Sequence, residues 1–212
     1  MSKQGVDPQT LNAWLSARSI ARGLPLPVPE YGGFRVDTNS DAEVARWVFP
    51  RMGPGIEELA CSINTPRYLL KLCGAAEVLR TVLPMGWKLH APGYFMRATC
   101  EPTVRPLADG YAIRTKRIGT VLEAQIFSEA GVLAASGYAV ETQDAFIYDR
   151  IVTEPAHRRK GLGHALMLML HAGRQRPNVP ELLVATEDGQ ALYSALGWNT
   201  VSAYSTASIT TP

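Results

Sequence analysis

The chain has 212 residues and a formal net charge of +2, with 21 Lys and Arg against 19 Asp and Glu. That length supports a self-sustaining core, and the even charge excludes a broad electrostatic surface for nucleic acid. Three cysteines are too few, and odd in number, for a disulfide framework; they fit buried thiols in a reducing compartment.

From the N-terminus, the polar stretch Met1 to Thr10 lacks the apolar core of a leader peptide, and no stretch approaches bilayer-spanning length. A cytoplasmic protein without membrane partners is expected. Leu11 to Ala21 reads as a helix with Trp14 and Leu15 on one face, and Pro25, Pro27 and Pro29 make a stiff linker. A strand around Gly33 to Val36 leads to Ser40-x-x-Glu43, a capping-box pattern that predicts a helix through Phe49, ended by Pro50. Leu69 to Cys73, a helix over Ala75 to Leu83, and Gly86-Trp87 follow.

Tyr111 to Thr115, Thr120 to Phe127 and Val132 to Val140 alternate as an antiparallel meander, with a turn at Glu129-Ala130-Gly131. Tyr138 in its last strand is either a core aromatic or part of a pocket wall. Ala145 to Thr153 is apolar and β-branched, as a buried strand would be, and Pro155 stops it. Arg158-Arg159-Lys160-Gly161-Leu162-Gly163 then opens a helix from Leu162 to Ala172, rich in Leu, Met and Ala. Gly161 and Gly163 let a phosphate approach the backbone, and a helix N-terminus adds free N–H groups and partial positive charge. The spacing is neither G-x-G-x-x-G nor G-x-x-x-x-G-K-[ST], so the dinucleotide and Walker motifs are absent. A strand over Glu181 to Thr186 and a helix ending at Leu192-Tyr193-x-x-Leu196-Gly197-Trp198 complete this part.

Arg158-x-x-Gly161-x-Gly163 resembles the [QR]-x-x-G-x-[GA] motif of the GNAT superfamily of acetyl-CoA-dependent N-acyltransferases, and the strand and helix after it come in that superfamily's order. The resemblance covers roughly residues 110 to 209. It implies an α/β (α+β) fold, a splayed, mostly antiparallel mixed sheet flanked by helices, with acetyl-CoA between two diverging central strands. By the same resemblance Ile151, Val152 and Thr153 would offer backbone groups to the pantetheine arm. The Arg158, Arg159, Lys160, Gly161, Leu162 and Gly163 segment would hold the pyrophosphate, and Tyr193 would protonate the leaving thiolate. Thr186 stands where many members carry an asparagine that touches pantetheine. The family's glutamate base aligns with Ile147, which takes no proton. Asp149, on the same strand face, is one candidate base or a structural carboxylate paired to Arg150 or Arg158, and Glu141 is a second candidate. Direct attack on the thioester requires no covalent intermediate at Cys61, Cys73 or Cys100.

The implied reaction is transfer of an acetyl group to a primary amine of a small molecule. A protein or aminoacyl-tRNA amine, or a non-catalytic acyl-CoA sensor, are the alternatives, and a homodimer is left open. No metal is expected: His164 and His171 are seven apart without a completing carboxylate or thiol, and His157 reads as solvated or capping. Leu69 and Leu70, Leu79 and Leu83, and Gly86-Trp87 align with Leu182 and Leu183, Leu192 and Leu196, and Gly197-Trp198. This suggests residues 1–104 as a degenerate counterpart of the catalytic domain at 105–212. In it Arg80 would replace Tyr193, Asp37 to Ser40 would stand at the phosphate turn, and the segment would wall the acceptor pocket. Chance similarity between two αβ units, in a chain with one ordinary domain of this kind, is the competing reading.

Overall fold

Asp7 begins the first helix by accepting the Thr10 amide, Pro8 occupies its first turn, and Gly23 ends it in the left-handed region (φ 62°), giving α1, Pro8–Arg22. This computed structural model describes residues 5–209, so residues 1–4 of the polar N-terminal segment and 210–212 lie outside the described residues. Leu11, Trp14 and Leu15 on α1 are buried against Phe95, Ile147, Leu182 and Tyr204 of the sheet. Burial of that kind contributes roughly 2 kcal/mol per large side chain.

The elements that follow are β1 (Val28–Glu30), β2 (Gly33–Asp37), β3 (Ala45–Phe49), α2 (Pro54–Ser62), β4 (Tyr68–Cys73), α3 (Ala76–Arg80), β5 (Trp87–Leu89) and β6 (Gly93–Ala98). The meander is β7 (Tyr111–Ile118), β8 (Val121–Ser128) and β9 (Leu133–Glu141). The last part is β10 (Phe146–Thr153), α4 (Leu162–Ala172), β11 (Glu181–Thr186), α5 (Glu187–Ala195) and β12 (Trp198–Ile209). No described helix is long and apolar enough to cross a membrane.

Two sequence expectations are corrected. Ser40 to Phe49 is not a capped helix. Ser40 Oγ donates to the Glu43 carbonyl (2.9 Å) and accepts the Glu43 amide (3.1 Å) in a tight turn, and the chain then runs extended as β3. A turn uses the same side-chain-to-amide bond as a capping box, while Trp47, Val48 and Phe49 favour a strand. The proline-rich segment is also not only a linker, because Val28–Glu30 joins the sheet at its edge, where Pro29 is tolerated.

The sheet order is β1-β2-β3-β4-β12-β6-β11-β10-β9-β8-β7, with β5 also on β12. Adjacent strands are antiparallel except β3 with β4 and β10 with β11. One element order occurs twice. β1-β2-β3-α2-β4-α3-β5 and β8-β9-β10-α4-β11-α5-β12 each consist of two antiparallel hairpin pairings, a parallel crossover through a helix, and a second helix leading to a strand. The strands after each second helix cross over: β12 pairs with β4 and β5, and β6, which follows β5, pairs with β11. Gly86 and Gly197 precede β5 and β12 with φ of 93° and 83°, and Trp87 and Trp198, which open those strands, are both buried. The first crossover turn is Pro50 to Gly55, so Asp37 to Ser40, expected at that place, lies one connection too early.

Alternation along the strands assigns the two faces. Phe146, Tyr148 and Leu183 pack with α4 residues Leu162, Leu166, Met167 and Leu170 and with Tyr193 on α5. Ile147, Leu182, Cys73 and Tyr204 face α1. Leu70 and Leu72 of β4 pack beneath α2 and α3 with Ala207. The stripe of Leu and Met on α4 is thus core.

Candidate functional site

The parallel pair β10 and β11 shares only Phe146↔Glu181 and Ile147↔Leu182 before the strands diverge. On its other side β10 loses register with β9 between Asp149 and Val152, and Arg150 there has a φ of 53°. Such a bulge bends its strand and twists it further. The bend carries Ile151, Val152 and Thr153 away from β11 and leaves the inner edge of β10 without a ladder partner.

The chain then turns through Pro155–His157 and Arg159 (φ 63°) into Gly161 (φ 77°), which caps α4 with no side-chain hydrogen bond. The first amides of α4 therefore stay unsatisfied and face the gap. A Cβ on Gly161 would meet nothing within 4 Å, whereas one on Gly163 would approach Leu192 at 3.1 Å. His157 Nδ1 and Lys160 Nζ bond Tyr111 Oη at 2.8 and 3.0 Å, which fixes this turn to the start of β7. Lys160 is thereby directed to Tyr111 and does not line the cleft, while Arg158 and Arg159 do.

A cleft of about 1400 Å³ passes through the splay and joins the two faces of the sheet. It exceeds the usual range of sites for compact ligands and suits an extended one. On the α4–α5 side lie Gly161, Leu162, Gly163, Leu192 and Tyr193; on the α1 side lie Trp14, Arg18, Lys71, Asp149 and Tyr204. Tyr193 is buried against Trp198, with ring centroids 6.0 Å apart, and its hydroxyl bonds no other described residue. Burial raises its pKa, so the phenol stays protonated at ordinary pH.

Asp149 sits in the same cleft but is held tightly. Arg22 Nε and Nη2 donate to its two oxygens at 2.7 and 2.9 Å, Arg150 Nε lies at 3.3 Å and Arg18 Nε at 3.7 Å. Burial alone would raise this carboxyl; the Arg22 hydrogen bonds and the charges of Arg18, Arg22 and Arg150 outweigh it and hold it below the usual carboxylate value. Glu141 is buried away from the cleft, where it accepts the Gln175 and Arg176 amides and closes the loop after α4. Thr186 caps α5, its Oγ1 accepting the Gly189 amide at 3.2 Å, and lines the cleft.

Residues 115–200 match the family described as "Acetyltransferase (GNAT) domain". Residues 115–200 form a GNAT acetyltransferase domain. Its fold is similar to that of a GCN5-related N-acetyltransferase from Kribbella flavida, over 98% of this chain and 97% of that one, at 13% identity and a TM-score of 0.65. It is also similar to a GCN5-related N-acetyltransferase from Sphaerobacter thermophilus (97% and 94% covered, 12% identity, TM-score 0.57). A tandem GNAT protein from the clavulanic acid biosynthesis pathway is matched over 85% of this chain and 80% of that one (16% identity, TM-score 0.55). At such identities the likeness is one of fold. No curated protein matches the chain in sequence.

Within the GNAT domain the histidines have structural partners. His164 Nε2 donates to the Thr103 carbonyl, and His171 bridges Glu101 and Glu181 at 2.6 and 3.0 Å. Among the described residues no group of His, Cys, Asp and Glu is placed to hold a metal ion. Tyr138 donates to Glu123 and carries the Arg150 guanidinium over its ring at 3.9 Å, outside the cleft. Of the cysteines only Cys73 is buried; Cys61 and Cys100 are exposed, contrary to expectation. Sequence reading missed the cations of the α1-side chamber, Arg18, Arg22 and Lys71. Their only advance signal was the placement of Arg18 and Arg22 one helical turn apart on α1.

Proposed function

We propose that the protein transfers an acetyl group from acetyl-CoA to a primary amine of a small molecule by direct attack. The observation that carries this reading is the splay of β10 from β11 onto the uncapped N-terminus of α4. In this scheme the free inner edge at Ile151, Val152 and Thr153 holds the pantetheine amides, and the Leu162 and Gly163 N–H groups with Arg158 and Arg159 hold the pyrophosphate. Thr186, its hydroxyl engaged in capping α5, offers the pantetheine little beyond shape.

The amine nitrogen, arriving neutral from the α1 side, attacks the thioester carbonyl; the C–S bond breaks and its electron pair leaves on sulfur. The Tyr193 hydroxyl gives its proton to that thiolate, and the surplus proton of the amine returns through water to the phenolate, so the proton the amine loses balances the one the thiol gains. The ion pairs around Asp149 lower its affinity for a proton, so we give it the task of anchoring Arg22 and Arg18 of α1 over the cleft. The test is calorimetric titration with acetyl-CoA, followed by free-thiol release over a panel of amines. Acetyl-CoA binding with thiol release on small amines is expected. Absence of acetyl-CoA binding, or binding with release only on a protein or aminoacyl-tRNA, would overturn the proposal.

A further inference from the structure

The α1-side chamber has a charge pattern that acyl transfer to a bare amine does not require. Lys71 reaches it from β4, with Trp14, Arg18 and Arg22 of α1 above and Tyr204 and Thr206 of β12 beside it. The Lys71 ammonium donates to Thr206 Oγ1 at 3.1 Å and lies 5.7 Å from the Tyr204 ring centroid, and among the described residues it forms no ion pair. Arg18 stacks on Trp14 at 5.5 Å, and its Nε lies 3.7 Å from Asp149. That carboxylate is already taken by the Arg22 fork. The neighbouring Arg46 is neutralised by Glu43. On the α1 side of the cleft, then, Arg18, Arg22, Arg150 and Lys71 face Asp149, while Glu187 and Asp188 line the cleft at the start of α5.

Two cations brought from separate elements into a partly desolvated chamber, Lys71 without an ion pair among the described residues and Arg18 sharing Asp149 with Arg22 and Arg150, destabilise the free protein. An anion bound between them would repair that. We propose that the acceptor amine carries a carboxylate, which Lys71 and Arg18 bind at the end of the cleft remote from the acetyl-transfer gap. This rests on the acyltransferase reading above and names its substrate class. Strands β6 and β12 lie between β11 and β4, so three strand spacings, ~14 Å, separate the gap from the Lys71 strand. Since both cationic side chains reach inward, an acceptor with its amine and carboxylate several bonds apart fits better than an α-amino acid.

The chamber also gives the acceptor a pH signature. Burial, reinforced by Arg46 and Arg18, lowers Lys71 to about 7, and burial with Arg46 and Arg22 lowers Arg18 to about 10. The charged and titratable groups acting on Lys71 are Arg46 and Glu43 at β3, Arg18 and Arg22 on α1, Tyr204 on β12, and His90 after β5. A carboxylate bound there requires the ammonium, so its affinity falls as pH rises through the Lys71 value.

The experiment uses the full chain and the ω-amino acids from 3-aminopropanoate to 6-aminohexanoate, each beside its carboxamide. Binding is measured by calorimetry with and without acetyl-CoA, and turnover by thiol release. The acids are expected to exceed their carboxamides by about 30-fold in kcat/KM, as fits the loss of one desolvated charge pair. Lys71→Met should remove most of that preference through KM, flatten the fall in acid binding between pH 6 and 8.5, and leave acetyl-CoA affinity unchanged. Equal use of acid and carboxamide, no binding of any acid, or a preference that survives in both Lys71→Met and Arg18→Met would overturn the proposal. Acids that bind a protein indifferent to acetyl-CoA would instead uphold the anion site and defeat the acyltransferase reading.

Discussion

The two parallel crossovers of this sheet share a topology and differ in one respect that decides which of them can hold a ligand. In the N-terminal one, β3 and β4 stay paired over five positions, from Ala45↔Tyr68 to Phe49↔Leu72. In the C-terminal one, β10 and β11 part after two. Both crossovers enter their helix through a Gly-x-Gly turn, Gly53-Pro54-Gly55 and Gly161-Leu162-Gly163. At Gly55 a Cβ would lie 2.0 Å from the Tyr31 carbonyl oxygen, so the chain itself fills the space over the α2 N-terminus. A Cβ on Gly163, the counterpart of Gly55, meets only side chains, the nearest Leu192 at 3.1 Å, and the first glycines of the two turns, Gly53 and Gly161, both face open space. An exposed helix N-terminus alone does not make a binding site; the bulge at Arg150 that unzips the strands provides the room.

The same contrast extends to Tyr193 and its counterpart Arg80, which donates to the Trp87 carbonyl at 2.8 Å and closes its own corner. Tyr193→Phe keeps the ring against Trp198 and removes only the proton. We expect turnover to fall by about 10² to 10⁴ with acetyl-CoA affinity within about twofold, read from thiol release and calorimetry. Arg80→Met should leave turnover intact and lower stability by about 1 kcal/mol in urea unfolding.

Gly161→Val places a branched Cβ on a left-handed backbone where the proposed scheme seats the pyrophosphate, and should weaken acetyl-CoA binding about 100-fold, ~2.7 kcal/mol, in calorimetry. Gly55→Ala probes the closed crossover at the glycine its own chain covers. It should cost about 2 kcal/mol of stability through the Tyr31 clash without altering acetyl-CoA affinity. If Gly55→Ala weakened acetyl-CoA binding as much as Gly161→Val, the contrast between an open and a closed crossover would be lost.

Asp149→Asn tests what secures α1 over the open crossover. Arg22 and Arg18 would lose their carboxylate, and because they are 29% and 19% exposed the expected loss is about 2 kcal/mol, below that of a fully buried pair. The sign with pH follows from the depressed folded pKa: the contribution is complete above the unfolded value near 3.8 and disappears as pH falls through the lower folded one. Acid unfolding of the wild type should therefore show a component below pH 4 that the asparagine variant lacks.

Much of the C-terminal crossover was legible in the chain. Leu162 to Ala172 and Glu181 to Thr186 appear with the bounds read from composition, because Gly161, Gly173 and the flanking polar residues punctuate them. The N-terminal crossover was misread at Ser40 to Phe49, since Ser40 and Glu43 make the same local bonds in a turn as at a helix start. Pairing with β2 and β4 settled the matter, and pairing is not a local property. The bulge at Asp149 to Val152 carried no sequence mark, because Arg150 is not a residue type that announces a positive φ. The chamber was hidden for a different reason. Arg22 and Asp149 are 127 positions apart and Lys71 and Thr206 are 135 apart, so the fold alone brings them together.

Lys71→Met gives a modest effect of opposite sign and the most discriminating one. A folded pKa of about 7 against 10.5 means that the unfolded chain binds more protons between those values, so wild-type stability should rise with pH across that window. Below pH 7 the full penalty of the desolvated ammonium is present. Methionine keeps the stem, loses the charge and packs near Tyr204, so the variant should be more stable by about 1–2 kcal/mol at pH 6, with the gain fading toward pH 10.5. A residue that only filled the sheet would show the opposite sign. Stabilisation accompanied by loss of the carboxylate preference is the pattern of a group retained for what it binds.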